Sequence, residues 1–500
     1  RLDLEAGHYT AGFISGYRGS PLGGYDQQLR AAQKWLDAHD VKFWEGLNED
    51  LGATAVWGSQ QLGLFPGAQR DGLFGIWYGK APGVDRTGDV FKHANAAGTS
   101  PLGGVLAVLG DDHMCKSSTL PSQSEFAMQD AEIPVLNPAS IQDVLDYGLH
   151  GWAMSRFSGG WSSMIALADT MDSGSVVDIS LKRMNFVTPE FAFPDDGVHM
   201  RRADPPLEKE RRLREFKLPA AQAWARANQL DHVILPSAKP RVGLIVTGQA
   251  ARDVFEALAA LGLTPDEASR LGVTIYKVAM PWPLEPEGIK TFCAGLERVL
   301  VIEHKRPLIE DQLRAALYPL PEKQRPMLEG KQTVDGQPLL SQIGSIPIPE
   351  MAEALRGVLP KGWNTEKADA YFARVGRAGE AARTNATPTV RTPHYCSGCP
   401  HNTSTVVPEG SRALAGIGCH YMANFMPDRN TDMTSQMGGE GIAWVGQHFA
   451  TDEDHMVVYL GDGTYSHSGS LAIRAAVTSG ANITYKVLYN DAVAMTGGQT

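Results

Sequence analysis

The alternation of apolar and polar residues near the C-terminal end of the chain predicts one strand–helix–strand unit. Met456–Leu460 is an apolar run rich in β-branched residues, as is typical of a buried strand. Ser466–Thr478 then carries apolar residues at helical spacing, and Gly480 follows as a helix-ending residue. A second strand is predicted over Ile483–Tyr489. Because such crossovers are right-handed, the two strands are expected to lie parallel in one sheet.

Polar residues follow both of these predicted strands. Gly461-Asp462-Gly463 comes after the first strand, and Asn490 comes after the second. Since parallel strands end at the same edge of a sheet, we expect Asp462 and Asn490 to meet there. A carboxylate and a carboxamide oxygen suit a hard divalent cation such as Mg²⁺, and the glycines let the backbone approach a diphosphate closely. The alternative is a plain polar turn without a ligand.

The same kind of pattern divides the whole chain into α/β regions and linkers. Strand and helix signals alternate over most of the chain, so the predicted fold class is α/β with several doubly wound parallel-sheet domains. Charge and proline mark the segments between these domains. The predicted regions are an α/β domain over 1–180, a linker with one charged helix over 181–240, a second α/β domain over 241–358, a linker over 359–384 and a final domain over 385–500.

Composition bears on the partners of the chain. The formal net charge is −11 and no basic stripe runs along the sequence, so nucleic acid is not an expected partner. The apolar runs are too short for a membrane span, and the first residues do not resemble a signal peptide. A cytoplasmic location is therefore expected. Because the sequence lacks an initiator Met, we expect it to be part of a longer polypeptide.

Three of the five cysteines are clustered. Cys396 and Cys399 form a CxxC motif, and Cys419 follows in the same domain. This arrangement does not suggest a disulfide framework and indicates a metal or redox site in a reducing cytoplasm. Zn²⁺ and an iron–sulfur cluster both suit soft sulfur ligands. In a zinc site, His420 or His401 is the candidate fourth ligand.

The GDG motif followed by Asn resembles the signature of the thiamine-diphosphate-dependent enzymes. Thr496-Gly497-Gly498-Gln499 further resembles the TGGQ motif of one branch of them, the 2-oxoacid:ferredoxin oxidoreductases. The resemblance implies domains of the thiamine-diphosphate-binding type, with Mg²⁺ bound by Asp462, Asn490 and the backbone carbonyl of Ala492. It also implies a set of cofactor-binding residues in the same domain: Gly438, Gly461, Gly463, Thr496 and Gly497.

The N-terminal domain resembles the pyrimidine-binding domain of the indolepyruvate:ferredoxin oxidoreductases. The matching stretches are ISGYRGSPLGG, NED, VLAVLGDDH and IPVLNPASIQD. The resemblance implies a catalytic glutamate that hydrogen-bonds to the pyrimidine ring of the cofactor; Glu49 fits this role best, and Glu45 is the second candidate. Arg18 and Ser20 are expected to line the cofactor or substrate pocket. A helix-start carboxylate is the alternative for Glu49, and an exposed turn is the alternative for Arg18 and Ser20.

The same family carries CxxC and GIGC sequences ahead of its GDG motif. There the cysteines hold a [4Fe–4S] cluster, which implies that Cys396, Cys399 and Cys419 are three of its four ligands here. The fourth ligand is expected beyond Thr500. Cys115 has no counterpart in the family pattern, and we interpret it as a non-ligand. Residues 241–358 resemble the transketolase C-terminal-like domain of the same superfamily.

The resemblance implies a reaction, cofactors and partners. The reaction is oxidative decarboxylation of a 2-oxoacid with coenzyme A, which gives acyl-CoA and CO₂. Electrons pass one at a time through the [4Fe–4S] cluster to ferredoxin. An aryl-pyruvate such as indolepyruvate is a candidate substrate, and the family suggests a homodimer. The alternatives are a non-oxidative thiamine-diphosphate-dependent decarboxylase or synthase with structural zinc, and a non-catalytic scaffold.

Overall fold

The structure is a computed structural model that describes residues 2–180, 183–384, 392–433, 435–491 and 493. The chain divides into two compact units, Arg1–Asn385 (unit 1) and Ala386–Thr500 (unit 2). Over the described ranges, no helix is both long enough and apolar enough to cross a membrane. Three of the candidate metal-binding and cofactor-binding residues lie outside the described residues: Ala492, Thr496 and Gly497.

Unit 1 begins with a six-stranded parallel sheet, which we call the first sheet. Its strands are β1 Thr10–Gly16, β2 Val41–Glu45, β3 Gly72–Lys80, β4 Val105–Asp111, β5 Val135–Leu136 and β6 Ser162–Leu167. They lie in the order β2-β1-β3-β4-β6-β5, and every neighbouring pair is parallel. The order reverses beside β1, so the carboxyl ends of β1 and β3 flank a topological switch point, where α/β sheets bind ligands.

The helices of this domain pack on the first sheet through a core of large aromatic residues. Phe91 lies edge-on to Trp77 and to Trp161, with ring centroids 4.8 Å and 6.1 Å apart. Hydrogen bonds from backbone N–H groups to the side chains of Asn48 and Ser140 cap two of these helices. The helices are α1 Leu2–Glu5, α2 Gly23–Ala31, α3 Gln33–Ala38, α4 Glu49–Ser59, α5 Ala81–Arg86, α6 Gly88–Ala97, α7 Glu125–Asp130, α8 Ile141–Ser158 and α9 Ala168–Met171.

A helical segment connects the first domain to the second. It consists of α10 Pro206–Arg212, a π-helical turn over Leu213–Lys217 and α11 Leu218–Ala227. Trp224 of α11 is buried against the first domain. The sequence predicted a solvated linker with one charged helix over 181–240. The structure instead has two packed helices in this range, together with a strand of the next sheet.

That strand belongs to a five-stranded sheet, the second sheet. Its strands are β7 His232–Leu235, β8 Val242–Thr247, β9 Val273–Val278, β10 Arg298–Ile302 and β11 Met327–Glu329. They lie in the order β11-β10-β8-β9-β7, parallel except for β7, which runs antiparallel to β9. The helices are α12 Ala250–Ala260, α13 Pro265–Arg270, α14 Pro286–Cys293, α15 Ile309–Leu317, α16 Ile348–Val358 and α17 Glu366–Thr384, with a 3₁₀ turn at Glu322–Gln324.

Helix α17 lies within the range 359–384, which the sequence pattern assigns to a linker. Ala368 of this helix is fully buried, and Tyr371 and Phe372 pack against the core of the second sheet. The remaining face is exposed and rich in Glu, Arg and Ala. Such a composition is typical of a solvated linker, and it is equally typical of a helix that contacts the core through one narrow stripe. The sequence pattern alone therefore does not distinguish the helix from a linker.

Unit 2 contains the third sheet, with four parallel strands in the order β13-β12-β14-β15. The predicted βαβ unit is confirmed, because β14 and β15 are parallel neighbours. Helical structure begins at Asp462, four residues earlier than predicted, and ends at Gly480 with φ of 72°. The strands are β12 Ala413–Ala415, β13 Thr431–Met433, β14 Met456–Gly461 and β15 Ile483–Leu488.

The helices of unit 2 are short, apart from the crossover between β14 and β15. They are α18 His401–Ser404, α19 Ile442–Val445, α20 Asp462–Thr464 and α21 Ser470–Ser479, with 3₁₀ turns at Cys419–Phe425, Pro427–Arg429 and His448–Ala450 and a π-helical turn at Tyr465–Gly469. Three sheets, parallel except for β7, confirm the predicted α/β fold class.

Candidate active site

The third sheet has its topological switch point between β12 and β14. Strand β13 lies on one side of β12, whereas β14 and β15 lie on the other. The loop Gly416–Gly418 follows the carboxyl end of β12, and the short helix α20 follows the carboxyl end of β14 directly. The two segments are in contact, because the hydroxyl of Thr464 in α20 donates a hydrogen bond to the carbonyl of Ile417 at 3.3 Å. Open α/β sheets bind ligands in such a crevice.

Asp462 and Asn490 both lie at this edge. Strands β14 and β15 are in register up to Gly461 and Leu488, so Asp462 and Asn490 each follow closely after the end of a neighbouring strand. Both residues are half-buried, and the Asp462 carboxylate accepts a hydrogen bond from the N–H of Gly463 at 2.8 Å. Oxygen donors of these two kinds suit Mg²⁺. Their role as its ligands stays a prediction.

A buried glutamate that sequence reasoning missed joins two glycine loops at this edge. Glu440 is 1% exposed, and its carboxylate accepts hydrogen bonds from the N–H groups of Gly438, at 2.8 Å, and Ile417, at 3.3 Å. Burial raises the pKa of this carboxyl. A Cβ at Gly416 would stand 2.3 Å from Glu440 Cγ, so the Glu440 side chain can approach the backbone at position 416 only if that residue is glycine. The sequence signal that could have indicated this residue is a single acidic residue within the glycine run Gly438-Gly439-Glu440-Gly441.

Two further features of the edge fit a bound diphosphate. Gly438 has φ of 88°, and a Cβ there would stand 2.2 Å from the Ser468 hydroxyl oxygen, so only glycine fits without strain. His420 is buried beside Gly461, and burial lowers its pKa to about 4. Among the described residues, Nε2 of His420 finds no hydrogen-bond partner. A buried polar atom of this kind requires a partner, which a ligand can supply.

The cysteine cluster lies in the same unit. The N–H of Cys399 donates to the carbonyl of Cys396 at 3.1 Å, and the Asn402 amide donates to both cysteine carbonyls. Burial raises the pKa of the Cys419 thiol, and the charges of Cys399, Cys396 and Asp462 raise it further. The three thiols are therefore electrostatic neighbours. Over the part of the chain that the structure describes, no three His, Cys, Asp or Glu side chains are positioned to hold a metal ion.

In unit 1, Glu49 is the first residue of α4, which follows β2 at the carboxyl edge of the first sheet. The Asn48 side chain caps this helix by accepting the N–H of Leu51 at 3.0 Å. Glu49 is 6% exposed, and the indole N–H of Trp77 donates to its carbonyl at 2.9 Å. A Cβ at Gly83 would stand 2.6 Å from a Glu49 carboxylate oxygen, so glycine gives this side chain its space. The catalytic role of Glu49 stays a prediction.

The second candidate, Glu45, is held in an ion-pair network. Its carboxylate accepts hydrogen bonds from Arg30 and from Arg18, the latter at 2.8 Å. The Arg30 hydrogen bond holds the pKa of Glu45 below its usual range, and Arg18 contributes in the same direction. Arg18 is itself buried and also pairs with Asp26 at 2.9 Å. Ser20 is exposed. Glu45 thus pairs with two arginines, and the choice between Glu49 and Glu45 for the catalytic role stays a prediction.

Two family models match the chain. The model described as "Indolepyruvate oxidoreductase domain" matches residues 232–382, which run from β7 into α17. The model described as "Thiamine pyrophosphate enzyme, C-terminal TPP binding domain" matches residues 416–500. The second match contains the segments after β12 and β14 and the residue Asn490.

Curated relatives cover most of the chain at low identity. The indolepyruvate oxidoreductase subunit IorA of Thermococcus kodakarensis is 25% identical over 453 residues, 84% of this chain and 64% of the relative. IorA of Pyrococcus horikoshii is 26% identical over 431 residues, 79% of this chain and 61% of the relative. The chain thus spans less than two thirds of these relatives. A solved 2-oxoglutarate:ferredoxin oxidoreductase from Magnetococcus marinus aligns with a TM-score of 0.45 and 14% identity over 66% of this chain and 60% of that one.

The fold is α/β, and the chain is similar to the thiamine pyrophosphate enzymes, with the match to their C-terminal TPP binding domain lying in unit 2. Within that class, the chain is related to the indolepyruvate oxidoreductases. The family resemblance predicted from the sequence is therefore confirmed.

Proposed function

We propose that this chain belongs to a 2-oxoacid oxidoreductase that uses thiamine diphosphate, coenzyme A and ferredoxin. The observation that carries the proposal is the edge of the third sheet. There, Asp462 of the GDG motif follows β14 and Asn490 follows the parallel neighbour β15, within the region that matches the thiamine pyrophosphate-binding domain. The names of the curated relatives make indolepyruvate the first substrate to test.

The residues of unit 2 would bind the diphosphate end of the cofactor. Asp462 and Asn490 would hold Mg²⁺, together with the carbonyl of Ala492, because hard oxygen donors and phosphate oxygens complete the coordination of this ion. The glycines at Gly438 and Gly461 would let the backbone approach the diphosphate. Thiamine diphosphate, when bound, supplies the electron sink that decarboxylation of a 2-oxoacid requires.

The Glu49 carboxyl would hold a proton at the pyrimidine nitrogen of the cofactor. The carboxyl suits this role because α4 fixes its backbone and Gly83 leaves space for its side chain. A buried acid next to a ring nitrogen can hydrogen-bond to it and exchange a proton with it, which is general acid–base catalysis. Arg18 and Glu45 would then shape the neighbouring part of the pocket as an ion pair.

Cys396, Cys399 and Cys419 would bind a [4Fe–4S] cluster with a fourth ligand. These thiolates would supply the soft sulfur ligands that an iron–sulfur cluster takes. The balanced reaction converts one 2-oxoacid, one coenzyme A and two oxidised ferredoxins to acyl-CoA, CO₂, two reduced ferredoxins and one proton. A homodimer in the cytoplasm is proposed on the same family grounds.

The test combines cofactor binding, metal content and turnover in anaerobically purified protein. We expect calorimetry to show Mg²⁺-dependent binding of thiamine diphosphate, and metal analysis to find iron with visible absorption. Indolepyruvate with coenzyme A should then reduce a one-electron dye. Decarboxylation without dye reduction, in colourless protein that contains zinc, would instead establish the non-oxidative alternative. Absence of Mg²⁺-dependent binding would overturn the whole proposal.

A further inference from the structure

Unit 1 contains an enclosed polar cavity where the two sheets meet. Its lining includes residues at or just after the carboxyl ends of first-sheet strands, His113 and Asn137, and of second-sheet strands, Thr247 and His304. The sheets are hydrogen-bonded beside it, since the N–H of Asn137 donates to the carbonyl of Ala279 at 2.8 Å. The volume that the centre of a water molecule can occupy in this cavity is about 20 Å³. Such a space holds one or two water molecules.

Polar atoms without partners converge on this cavity. Within the described residues, no hydrogen bond reaches either ring nitrogen of His113, Oε2 of Glu125, Oε1 of Gln249 or Nε2 of His304. His113 and Glu125 are each 6% exposed, and His304 is 8% exposed. Leaving such groups unsatisfied in a protein interior destabilises the folded state. The cavity therefore has both the room and the polar partners that bound water requires.

The hydrogen bonds around His304 fix which groups are donors. The backbone N–H of Ile346 donates to Nδ1 of His304 at 3.0 Å. Burial lowers the pKa of His304 to about 3 and that of His113 to about 4, so both rings are neutral at pH 7. A neutral ring that accepts at Nδ1 carries its proton on Nε2. Nε2 of His304 is thus a donor, and the Gln249 oxygen is an acceptor on the same cavity.

Two titratable acids line the cavity: Glu125, at the start of α7, and Glu303, whose pKa burial raises to about 7. The Asn137 amide donates to one of the carboxyl oxygens of Glu125 at 3.3 Å. Burial and the neighbouring charge of Asp111 raise the pKa of Glu125 to about 8. Glu303 raises this pKa further, whereas Arg306 lowers it. At neutral pH, the other oxygen of Glu125 therefore carries a proton that it can donate.

We propose that this cavity is a hydrated proton-binding site that joins the two sheets of unit 1. One or two water molecules bridge the unpartnered atoms of His113, Gln249 and His304, while Glu125 retains its proton as part of the same network. Loss of that proton places a further negative charge beside the carboxyl groups of Asp111 and Glu303 and weakens the joint. The site does not depend on the proposed function, because none of these residues is assigned a role in cofactor binding.

Other charged groups also face the histidines. Lys305 and Lys331 disfavour protonation of His113, and Asp112 favours it. Lys331 likewise disfavours protonation of His304, and Asp169 favours it. The Asp253 carboxylate lies 3.9 Å from Nε2 of His304, and burial raises the pKa of Asp253 to about 6. Because burial dominates at both rings, these histidines stay neutral across the range in which Glu125 titrates. The pH response of the cavity above pH 5 is therefore that of its carboxyl groups.

The sign of the expected effect follows from proton linkage. The pKa of Glu125 is about 8 in the folded protein and near 4.5 in the unfolded chain. The folded state therefore binds the proton more tightly, and its contribution to stability is lost as pH rises from about 4.5 to 8. Glu125→Gln keeps the shape of the side chain and cannot ionise. It should flatten this part of the stability profile.

The test measures thermal unfolding of wild type, Glu125→Gln and a control, Glu353→Gln, from pH 5 to pH 9. Glu353 lies exposed on α16. We expect Glu125→Gln to gain several degrees in unfolding temperature relative to wild type as pH rises, and the control to follow wild type. Parallel profiles for wild type and Glu125→Gln would overturn the proposal.

A second measurement detects the proton and the water directly. Infrared difference spectra at pH 7 should contain the carbonyl band of a protonated carboxylic acid in wild type, and this band should be missing in Glu125→Gln. A crystal structure should contain ordered water bonded to His304 Nε2 and the Gln249 oxygen. A spectrum without that band, or a dry cavity at high resolution, would contradict the proposal even if the variant proved too unstable for unfolding measurements.

Discussion

In unit 2, short glycine-bearing segments follow the carboxyl ends of β12 and β14, whereas in unit 1 polar side chains follow the carboxyl ends of β4 and β10. At the first edge, Asp462 and Asn490 are half-buried, although Glu440 and His420 beside them are buried. At the second edge, His113 and His304 are more than nine-tenths buried. Both edges occupy the position where α/β sheets bind ligands. The residues that follow the strands decide whether that position stays accessible or becomes a closed joint.

The electrostatics of the two edges follow burial in the same way. In unit 1, burial favours the neutral forms of Glu125 and His304. In unit 2, burial has the same effect on Glu440 and His420. Asp462 is only half-buried there, and its oxygen donor and the nearby cysteine sulfurs are ligand types that suit cations. The comparison therefore predicts that substitutions at the edge in unit 2 affect ligands, whereas those at the joint in unit 1 affect stability.

The largest expected effect is at Asp462. Asp462→Ala removes the anionic oxygen ligand and should abolish Mg²⁺-dependent binding of thiamine diphosphate, measured by calorimetry. Asp454→Ala is the matched control, because Asp454 is an exposed acid just before the amino end of the same strand. Equal cofactor affinity in Asp462→Ala and wild type would show that this edge is not the diphosphate site.

The next effect is at the cysteine cluster. Cys399→Ala should lose most of the iron and the visible absorption, because one thiolate ligand is missing. Binding of thiamine diphosphate should survive, since the metal and diphosphate sites use different residues. Cys115→Ser serves as the control and should retain its iron. Full iron content in Cys399→Ala would exclude it from the ligand set.

Features of the site that depend on short motifs could be predicted from the sequence. The βαβ unit at Met456–Leu488 follows from local hydrophobic periodicity and a right-handed crossover, and the structure has it. The position of Asp462 and Asn490 at one edge follows from the same reasoning. The grouping of the CxxC and GIGC cysteines into one metal site stays a prediction, because over the described residues no three such side chains are positioned to hold a metal ion.

Features that depend on packing between distant segments could not be predicted. The cavity in unit 1 brings Glu125 together with His304, and nothing in the local sequence of either residue indicates the other. The role of Glu440 depends on two loops that fold over it. Helix α17 was assigned to a linker because a single narrow contact stripe leaves little apolar periodicity. In each of these three cases, contacts between segments that are distant in sequence determine the structure, and local periodicity does not report such contacts.

A third prediction tests the pyrimidine side of the proposed site in unit 1. Glu49→Gln should bind cofactor nearly as well as wild type, because an amide can still hydrogen-bond to a ring nitrogen. Activity should fall by a factor on the order of 10²–10⁴, since the amide cannot transfer a proton. The measurement is hydrogen–deuterium exchange at C2 of the cofactor by quenched NMR. Normal exchange in Glu49→Gln with loss in Glu45→Gln would transfer the role to Glu45.

The smallest expected effect is that of Gly83→Ala. This variant tests whether the position of the Glu49 carboxyl matters when the residue itself is unchanged. Gly83→Ala places a Cβ 2.2 Å from Cγ of Glu49, so the carboxyl must move although the residue itself is unchanged. A displacement near 1 Å should lower activity about 10²-fold, because proton transfer requires close placement. Gly88→Ala is the matched control, since a Cβ there has no neighbour within 4 Å among the described residues. Cofactor affinity should stay near wild type in both variants, because neither glycine lies at the edge of unit 2. Equal activity in the two variants would show that the position of Glu49 does not limit the reaction.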